Sequence, residues 1–156
     1  MPVTIGQAAP TFTLFSSDKK EVSLSDFKGK NVLLLFFPQA FTSVCTAELC
    51  NIRDNIGMYS NVNAEVLGIS VDSVFTLAKF KELQGYNFTL LSDFNKEVTN
   101  AYDVMIETFA FGMKGVSKRA SFVVDKEGNI AYSEVTATPG DMPNFEAINE
   151  VLGKLG

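Results

Sequence analysis

Histidine is absent from this chain of 156 residues, and its absence limits the chemistry that the protein can perform. Catalysis by Cys–His or Ser–His–Asp groups needs an imidazole and is therefore excluded. The two cysteines, Cys45 and Cys50, are five residues apart, a spacing that matches no usual zinc motif. A closed zinc site takes four cysteine or histidine ligands, so we expect no metal here. Any nucleophile in this chain must be activated without a histidine.

Long apolar runs and clusters of basic residues are also missing. No apolar run approaches the roughly 18 residues that a membrane-spanning helix needs, so we expect no membrane segment. The 13 basic and 18 acidic residues give a net charge of −5 without a basic cluster, which argues against nucleic-acid binding. Residues 1–6 lack the basic and apolar regions of a signal peptide, so a cytoplasmic location is expected. The length is typical of one domain, which we place at residues 1–156.

The stretch from residue 31 to residue 50 organises the rest of the chain. Six consecutive apolar residues, Val32 to Phe37, predict a short strand that is buried on both faces of a sheet. Pro38 ends this strand because proline has no amide hydrogen for a sheet ladder. Thr42 is then placed to cap a helix, and Cys45 lies in the first turn of that helix. In open α/β sheets, ligands bind at this carboxyl-end edge.

The remaining patterns alternate between strand and helix. The polar turn at 18–20 lies between two alternating segments and predicts an N-terminal β-hairpin. After the cysteine helix we predict a strand at 64–71, a helix from 73 to about 85, a strand at 87–91, a helix at 95–102, a loop at 105–118, a hairpin of 119–125 and 130–135, and a last helix that begins near Pro143. This order predicts an α/β protein with a thioredoxin-like fold, in which helices flank a mixed central sheet.

Cys45 has two interpretations. It heads one face of a predicted helix, because the apolar residues that follow it are spaced 4, 3, 4 and 3, whereas Cys50 lies off that face. Cys45 is then either an inert buried cysteine or a reactive one. The first turn of a helix has unpaired amide hydrogens and a partial positive charge, which favour a thiolate and can hold a substrate oxygen beside it. The residues of this face are Cys45, Leu49, Ile52, Ile56 and Tyr59.

The segment P-Q-A-F-T-S-V-C resembles the P-x-x-x-T-x-x-C motif of the peroxiredoxins. The resemblance extends over almost the whole chain, through A-P-T-F-T-L, F-K-G-K-N-V-L-L-L-F-F-P, G-I-S-V-D-S, L-L-S-D and K-R-A-S-F-V-V-D-K-E-G-N-I. It implies a thioredoxin fold with extra N-terminal structure and a thiol-dependent peroxidase that reduces hydrogen peroxide and organic hydroperoxides without a cofactor. Ser43 departs from the pattern, since many relatives have proline there, and this affects the start of the helix more than the chemistry.

The resemblance also implies a role for each motif residue. Cys45 would be the peroxidatic cysteine, which attacks the peroxide O–O bond. Thr42, which could equally be a simple helix cap, would hydrogen-bond the peroxide, and Pro38 would shield the thiolate from water. Arg119 would orient the reacting atoms with its fork of donors, although without the motif it would be an ordinary surface salt-bridge residue. Glu48 matches an acidic position that often follows the family's cysteine.

Cys50 resembles the resolving cysteine of the bacterioferritin-comigratory (Q-type) branch, whereas other segments resemble the alkyl hydroperoxide reductase E branch equally well. Otherwise Cys50 is a free thiol on the flank of a helix. Five residues along an α-helix separate two Cα atoms by roughly 8.6 Å. A disulfide needs less than about 7 Å. A bond between Cys45 and Cys50 therefore requires the helix to unwind first.

The family resemblance implies thioredoxin or a similar dithiol as reductant, and a homodimer is common among relatives. Two other functions stay open. Thiol–disulfide exchange of the thioredoxin type is disfavoured by the lack of a C-x-x-C motif. A redox sensor or relay module, which passes its oxidation to a partner protein, is disfavoured by the complete set of Pro38, Thr42, Cys45 and Arg119.

Overall fold

The computed structural model describes residues 3–156, and its main feature is one mixed seven-stranded sheet. The strands of this sheet are β1 (Thr13–Ser16), β2 (Glu21–Ser23), β3 (Asn31–Phe36), β4 (Ala64–Ser70), β5 (Thr89–Ser92), β8 (Ala120–Val124) and β9 (Ile130–Val135). They lie in the order β2-β1-β5-β4-β3-β8-β9. Strands β3, β4 and β5 are parallel to one another, and the outer pairs are antiparallel. This is the flanked mixed sheet with an N-terminal hairpin that the sequence predicts.

Five α-helices, two 3₁₀ helices (Leu24–Phe27 and Ala110–Gly112) and a small two-stranded sheet complete the described part of the chain. The α-helices are α1 (Ser43–Asp54), α2 (Ile56–Asn61), α3 (Val74–Gln84), α4 (Glu97–Ala101) and α5 (Phe145–Leu155), and the small sheet pairs β6 (Met105–Ile106) with β7 (Val116–Ser117). Along residues 3–156, no helix is long and apolar enough to cross a membrane.

Strand β3 lies at the centre of the protein, and all six of its residues are buried. Alternate side chains of a strand point to opposite faces, so β3 contributes to two separate apolar layers. Leu34 and Phe36 belong to one layer, which the N-terminal segment and Tyr102 complete. Leu33 and Leu35 belong to the other, which lies under α1, α2, α3 and α5. Burial on both faces explains the unbroken apolar run.

The continuous helix predicted through Tyr59 is wrong, because the helix is interrupted at Asn55. The Asn55 side chain donates to the Asn51 backbone oxygen at 2.8 Å, and its backbone amide turns to the Ile52 oxygen at 3.1 Å. A side-chain amide here replaces the backbone donor of the next helical turn. The predicted buried face nevertheless continues across the break, since Tyr59 in α2 is only 1% exposed.

Other predicted boundaries shift by one to a few residues. The segment 105–118 is not simply a loop, because β6 and β7 pair across it and residues 110–112 form a 3₁₀ turn. Arg119 precedes β8 instead of beginning the strand, and the helix predicted at 95–102 is confined to Glu97–Ala101.

Candidate active site

The loop between β3 and α1 is fixed by a carboxylate from the neighbouring strand. Asp72 follows β4, and its Oδ2 accepts hydrogen bonds from the Ala40 amide at 2.8 Å and from the Ser70 hydroxyl at 2.6 Å. Pro38 is buried at the start of this loop. Phe41 adopts a left-handed conformation, with φ of 67°, that turns the chain into α1. The loop therefore places the first turn of α1 at the carboxyl-end edge of the sheet.

Thr42 occupies the N-cap position of α1, but its side chain does not cap the helix. The hydroxyl donates instead to the Gln39 backbone oxygen at 3.0 Å. The prediction of a capping threonine side chain is therefore wrong, although the position is right. The hydroxyl closes the preceding turn and leaves the amides of the first helical turn without a side-chain acceptor from the cap residue.

The Cys45 thiol is fully buried, and its sulfur lies beside a guanidinium. Arg119 Nη2 is 3.2 Å from Cys45 Sγ, although the two residues are 74 positions apart in the chain. A cation and the amino end of a helix both favour the anionic form of a thiol. The structure thus brings together the cysteine and the arginine of the predicted site.

Arg119 is itself buried, with 2% of its surface exposed, so the interpretation as a surface salt-bridge residue is wrong. Its Nη1 donates to Glu48 Oε1 at 2.5 Å. The Pro139 backbone oxygen accepts from Nε at 3.0 Å and from Nη2 at 2.7 Å. Burial alone would lower the pKa of Arg119, but the charges and hydrogen bonds of Glu48 and Cys45 raise it overall, so the guanidinium keeps its charge.

Glu48 is completely buried, three residues after Cys45 on α1. Burial raises the pKa of this carboxyl from 4.5 to about 7, and the attraction of Arg119 offsets only part of that rise. Its Oε2 has no hydrogen-bond partner among the described residues. Glu48 is therefore a poorly stabilised carboxylate whose main interaction is with Arg119.

Two clefts of about 290 and 510 Å³ adjoin the guanidinium of Arg119. The smaller cleft opens at the start of α1, and apolar side chains form most of its wall. Phe111 stands fully exposed at this surface, on the loop between β6 and β7. A ligand with an apolar part and a polar end fits such a lining. The residues of the smaller cleft include Thr42, Val44, Phe109, Met113, Arg119 and Pro139.

The structure does not bring Cys50 to Cys45. Both cysteines are free, and both lie in the unbroken helix α1. Cys50 is half-buried, and its sulfur lies 3.8 Å from Gln84 Oε1 and 3.8 Å from the Tyr86 hydroxyl. Among residues 3–156, no group of three or more side chains of the metal-binding types is assembled.

Comparison with known protein families identifies the relatives of this chain. Residues 5–133 match the AhpC/TSA family. The chain belongs to this family. Among its relatives is the peroxiredoxin Bcp of Escherichia coli, which is 38% identical over 133 residues. These aligned residues make up 84% of this chain and 85% of the E. coli protein. The protein is thus a peroxiredoxin, a thiol peroxidase, as the motifs predict.

Solved structures show the same relationship. Peroxidoxin BcpB of Mycobacterium tuberculosis superposes with a TM-score of 0.87 at 26% identity, over 99% of both chains. A mutant of PrxQ from Xylella fastidiosa gives a TM-score of 0.85 at 26% identity, over 99% of this chain and 96% of that one. The predicted thioredoxin-like fold is confirmed.

Two parts of this peroxiredoxin's site were missed by reasoning from the sequence. Glu48 was noted only for its position, although its place three residues after Cys45 puts both on one side of a helix and could have revealed its burial. The Pro139 carbonyl has no signal in the sequence, because any residue supplies a backbone oxygen. Thr136 holds the arginine that contacts this carbonyl: the Thr136 amide and hydroxyl donate to the Arg119 backbone oxygen at 3.0 and 3.1 Å.

Proposed function

We propose that Cys45 is the peroxidatic cysteine of this thiol peroxidase and that it reduces hydrogen peroxide and organic hydroperoxides. The observation that carries the proposal is the contact of 3.2 Å between Arg119 Nη2 and Cys45 Sγ at the amino end of α1. A nucleophilic thiol must be held as a thiolate beside donors that can follow the developing charge. In a chain without histidine, a buried and permanently charged guanidinium supplies that environment.

The first step is a displacement at oxygen. The Cys45 thiolate attacks the terminal oxygen of the hydroperoxide, the S–O bond forms and the O–O bond breaks. Cys45 becomes a sulfenic acid, and the departing alkoxide or hydroxide takes a proton to leave as an alcohol or water. The Arg119 guanidinium stabilises the charge that moves from sulfur to the leaving oxygen.

Thr42 and Pro38 complete the proposed site. The Thr42 side chain lines the smaller cleft, and its hydroxyl would donate to a peroxide oxygen after rotating away from the Gln39 carbonyl. Pro38 is buried and has no amide hydrogen, so it adds an apolar wall without drawing in water. The apolar lining of the cleft suits the organic part of a hydroperoxide.

We propose Cys50 as the resolving cysteine. Its thiolate would attack the Cys45 sulfenic acid, so that an S–S bond forms, the S–O bond breaks and the departing hydroxide takes a proton to leave as water. Thioredoxin or a similar dithiol would then reduce the disulfide by exchange. The homodimer that is common in the family stays a prediction, which sedimentation of the purified protein tests.

The Cys45→Ser variant tests the assignment of the nucleophile. We expect it to lose turnover of peroxide with a dithiol reductant while its far-UV circular dichroism stays that of the wild type. Cys50→Ser is the matched control, because it removes the other thiol of the same helix and should still consume one equivalent of peroxide. Persistent turnover in Cys45→Ser would refute the assignment. A wild type that stops after one equivalent despite excess dithiol would point to the relay function instead.

A further inference from the structure

Residues 84–87, which comprise the last residue of α3 and most of the link to β5, lie alongside α1 and contact it at more than one turn. The Tyr86 hydroxyl donates to the Thr46 backbone oxygen at 3.3 Å. Two turns further on, Arg53 Nη1 donates to the Gln84 backbone oxygen at 2.5 Å. The segment therefore supports α1 both near its first turn and near its last.

Cys50 lies between these two attachment points. Its sulfur is in contact with Gln84 and with the Tyr86 hydroxyl, each at 3.8 Å. The later part of α1, with Cys50, is thus held on the 84–87 segment by several contacts. Nearer the amino end, the Thr46 carbonyl accepts a hydrogen bond from the Tyr86 hydroxyl, and Cys45 and Glu48 contact Arg119.

The Tyr86 ring is held rigidly, so its hydroxyl has a defined position. The side chain is 4% exposed, packs edge-on against Phe80 with ring centres 5.1 Å apart, and is tilted against Phe88 at 5.4 Å. Burial, and then the hydrogen bond with Cys50, raise the pKa of Tyr86. The hydroxyl therefore stays protonated and remains a donor to Thr46.

Thr46 lies inside the stretch that must rearrange before the two cysteines can bond. In a folded helix the Cα atoms of Cys45 and Cys50 are roughly 8.6 Å apart, beyond disulfide reach. Residues 46–49 must therefore leave the helical conformation, and the Thr46 carbonyl must leave Tyr86. We propose that Tyr86 is a positioning residue for the resolving step: its hydroxyl holds the turn that carries Cys45 in the folded helix until the disulfide forms. This inference rests on the proposed role of Cys50.

The position of Tyr86 has a consequence for the fate of the oxidised enzyme. While α1 is folded, Cys45 stays beside Arg119, whose guanidinium adjoins the cleft, and a second hydroperoxide that reaches the Cys45 sulfenic acid can oxidise it to sulfinic acid and itself become an alcohol. Once the turn unwinds, Cys50 attacks instead and releases water. The hydrogen bond from Tyr86 favours the folded helix, so it shifts the partition toward the sulfinic acid.

The Tyr86→Phe variant tests this inference because it removes the hydroxyl and keeps the ring. Losing one hydrogen bond that must break before the transition state should raise the rate of Cys45–Cys50 disulfide formation roughly twofold to tenfold. The share of sulfinic acid at a given peroxide concentration should fall accordingly. The rate of the first oxidation should stay unchanged, since the described contacts of this hydroxyl involve neither Cys45 Sγ nor Arg119. Rapid quenching, alkylation of free thiols and mass spectrometry measure all three quantities.

Two other tyrosines provide matched controls. Tyr102→Phe removes a hydrogen bond of 2.8 Å to the Pro10 backbone oxygen in the opposite apolar layer, so it loses a comparable bond away from α1. Tyr59→Phe removes a buried hydroxyl that has no partner among the described residues. Both variants should form the disulfide at the wild-type rate. An acceleration in either one would mean that general destabilisation explains the effect, and the inference would fall.

The outcomes separate this inference from the proposed function. If the wild type forms a Cys45–Cys50 disulfide and Tyr86→Phe forms it at the same rate, the inference fails and the role of Cys50 stands. A slower rate also overturns it, because the hydroxyl would then be orienting the Cys50 thiol for attack. If the wild type forms no such disulfide, the resolving role fails and this inference fails with it. Faster amide exchange at residues 46–50 in reduced Tyr86→Phe is a further expected result, because it reports directly on the opening of this turn, and unchanged exchange there would contradict the inference.

Discussion

Arg119 uses separate nitrogens of one guanidinium to contact Cys45 and Glu48, and it reaches the Pro139 carbonyl with two of them. A planar fork of donors can meet three partners at fixed angles, whereas an ammonium is a single point of charge. Because the arginine is almost fully buried, each lost contact leaves an acceptor without solvent to replace it.

We therefore expect Arg119→Lys to slow the first oxidation of Cys45 by roughly a hundredfold to a thousandfold, the usual cost of removing one aligned donor. The chain has no tryptophan, so the reaction is best followed by rapid quenching and mass spectrometry instead of intrinsic fluorescence. An oxidation rate equal to that of the wild type would show that Arg119 contributes to folding alone.

Glu48 is a buried carboxyl whose pKa is raised to about 7 by its burial. In the unfolded chain the same group loses its proton near pH 4.5. Between these two pH values the folded state holds a proton that the unfolded state has released, so the free energy of unfolding falls as the pH rises. Glu48 is thus expected to destabilise the fold at neutral pH while it orients Arg119.

The Glu48→Gln variant should lack this pH dependence, since an amide does not titrate. From pH 4.5 to 7, the wild type should lose up to about 3 kcal/mol more of its unfolding free energy than the variant does. Urea unfolding followed by circular dichroism at several pH values gives both slopes, and their difference isolates Glu48 from the other titrating groups. Parallel slopes would contradict a raised pKa for this carboxyl.

At the scale of the element, the two proposed steps of the reaction require opposite conformations of the first turn of helix α1. Its folded first turn holds Cys45 against Arg119 for oxidation, whereas bonding to Cys50 needs the same turn to open. Ser43, Val44 and Thr46 are mediocre helix formers close to the end of the helix, which lowers the cost of opening this turn. The break at Asn55 separates this short helix from α2, so local opening does not have to propagate into α2.

Cys50→Ser should leave the first oxidation of Cys45 fast, abolish the intramolecular disulfide and increase the yield of sulfinic acid. The reason is that the sulfenic acid then stays in the folded site without an internal thiol to attack it. Peptide mapping under non-reducing conditions, before and after one equivalent of peroxide, measures each species. If the wild type and Cys50→Ser give the same products, the enzyme uses a single cysteine.

At the scale of the whole molecule, the packing between the sheet and the helices leaves little room for a larger side chain where β4 and β5 meet. A Cβ at Gly68 of β4 would lie 2.8 Å from Leu90 Cδ2 and 3.4 Å from the Phe37 ring. Leu90 and Phe37 are both fully buried, so neither side chain can move into solvent. Glycine is favoured here by the close approach of the Leu90 and Phe37 side chains, and its φ is unexceptional.

Gly68→Ala should therefore reduce the free energy of unfolding by about 1–3 kcal/mol through overpacking. Gly57→Ala is the matched control, since it lies in α2 with no atom within 4 Å of the added Cβ. There alanine should be neutral or slightly stabilising because it favours the helix. Urea unfolding of the two variants provides the comparison, and equal stabilities would argue against a tight contact at Gly68.

The sequence by itself determined the elements whose reasons are local. An apolar run of six residues followed by Pro38 favours a short buried strand that stops, and the spacing of Cys45, Leu49 and Ile52 defines one face of α1. The motif around Thr42 and Cys45, together with the matching segments along the rest of the chain, was sufficient to indicate the family.

Only the tertiary structure decided the partners of these residues. The contact between Cys45 and Arg119 joins positions 74 apart, and it exists because β3 and β8 are antiparallel neighbours in the sheet. The burial of Glu48, the Pro139 acceptor and the position of Tyr86 over Thr46 also depend on elements that meet only after folding. The helix break at Asn55 came from the competition between a side-chain and a backbone donor for one carbonyl, which spacing alone does not predict.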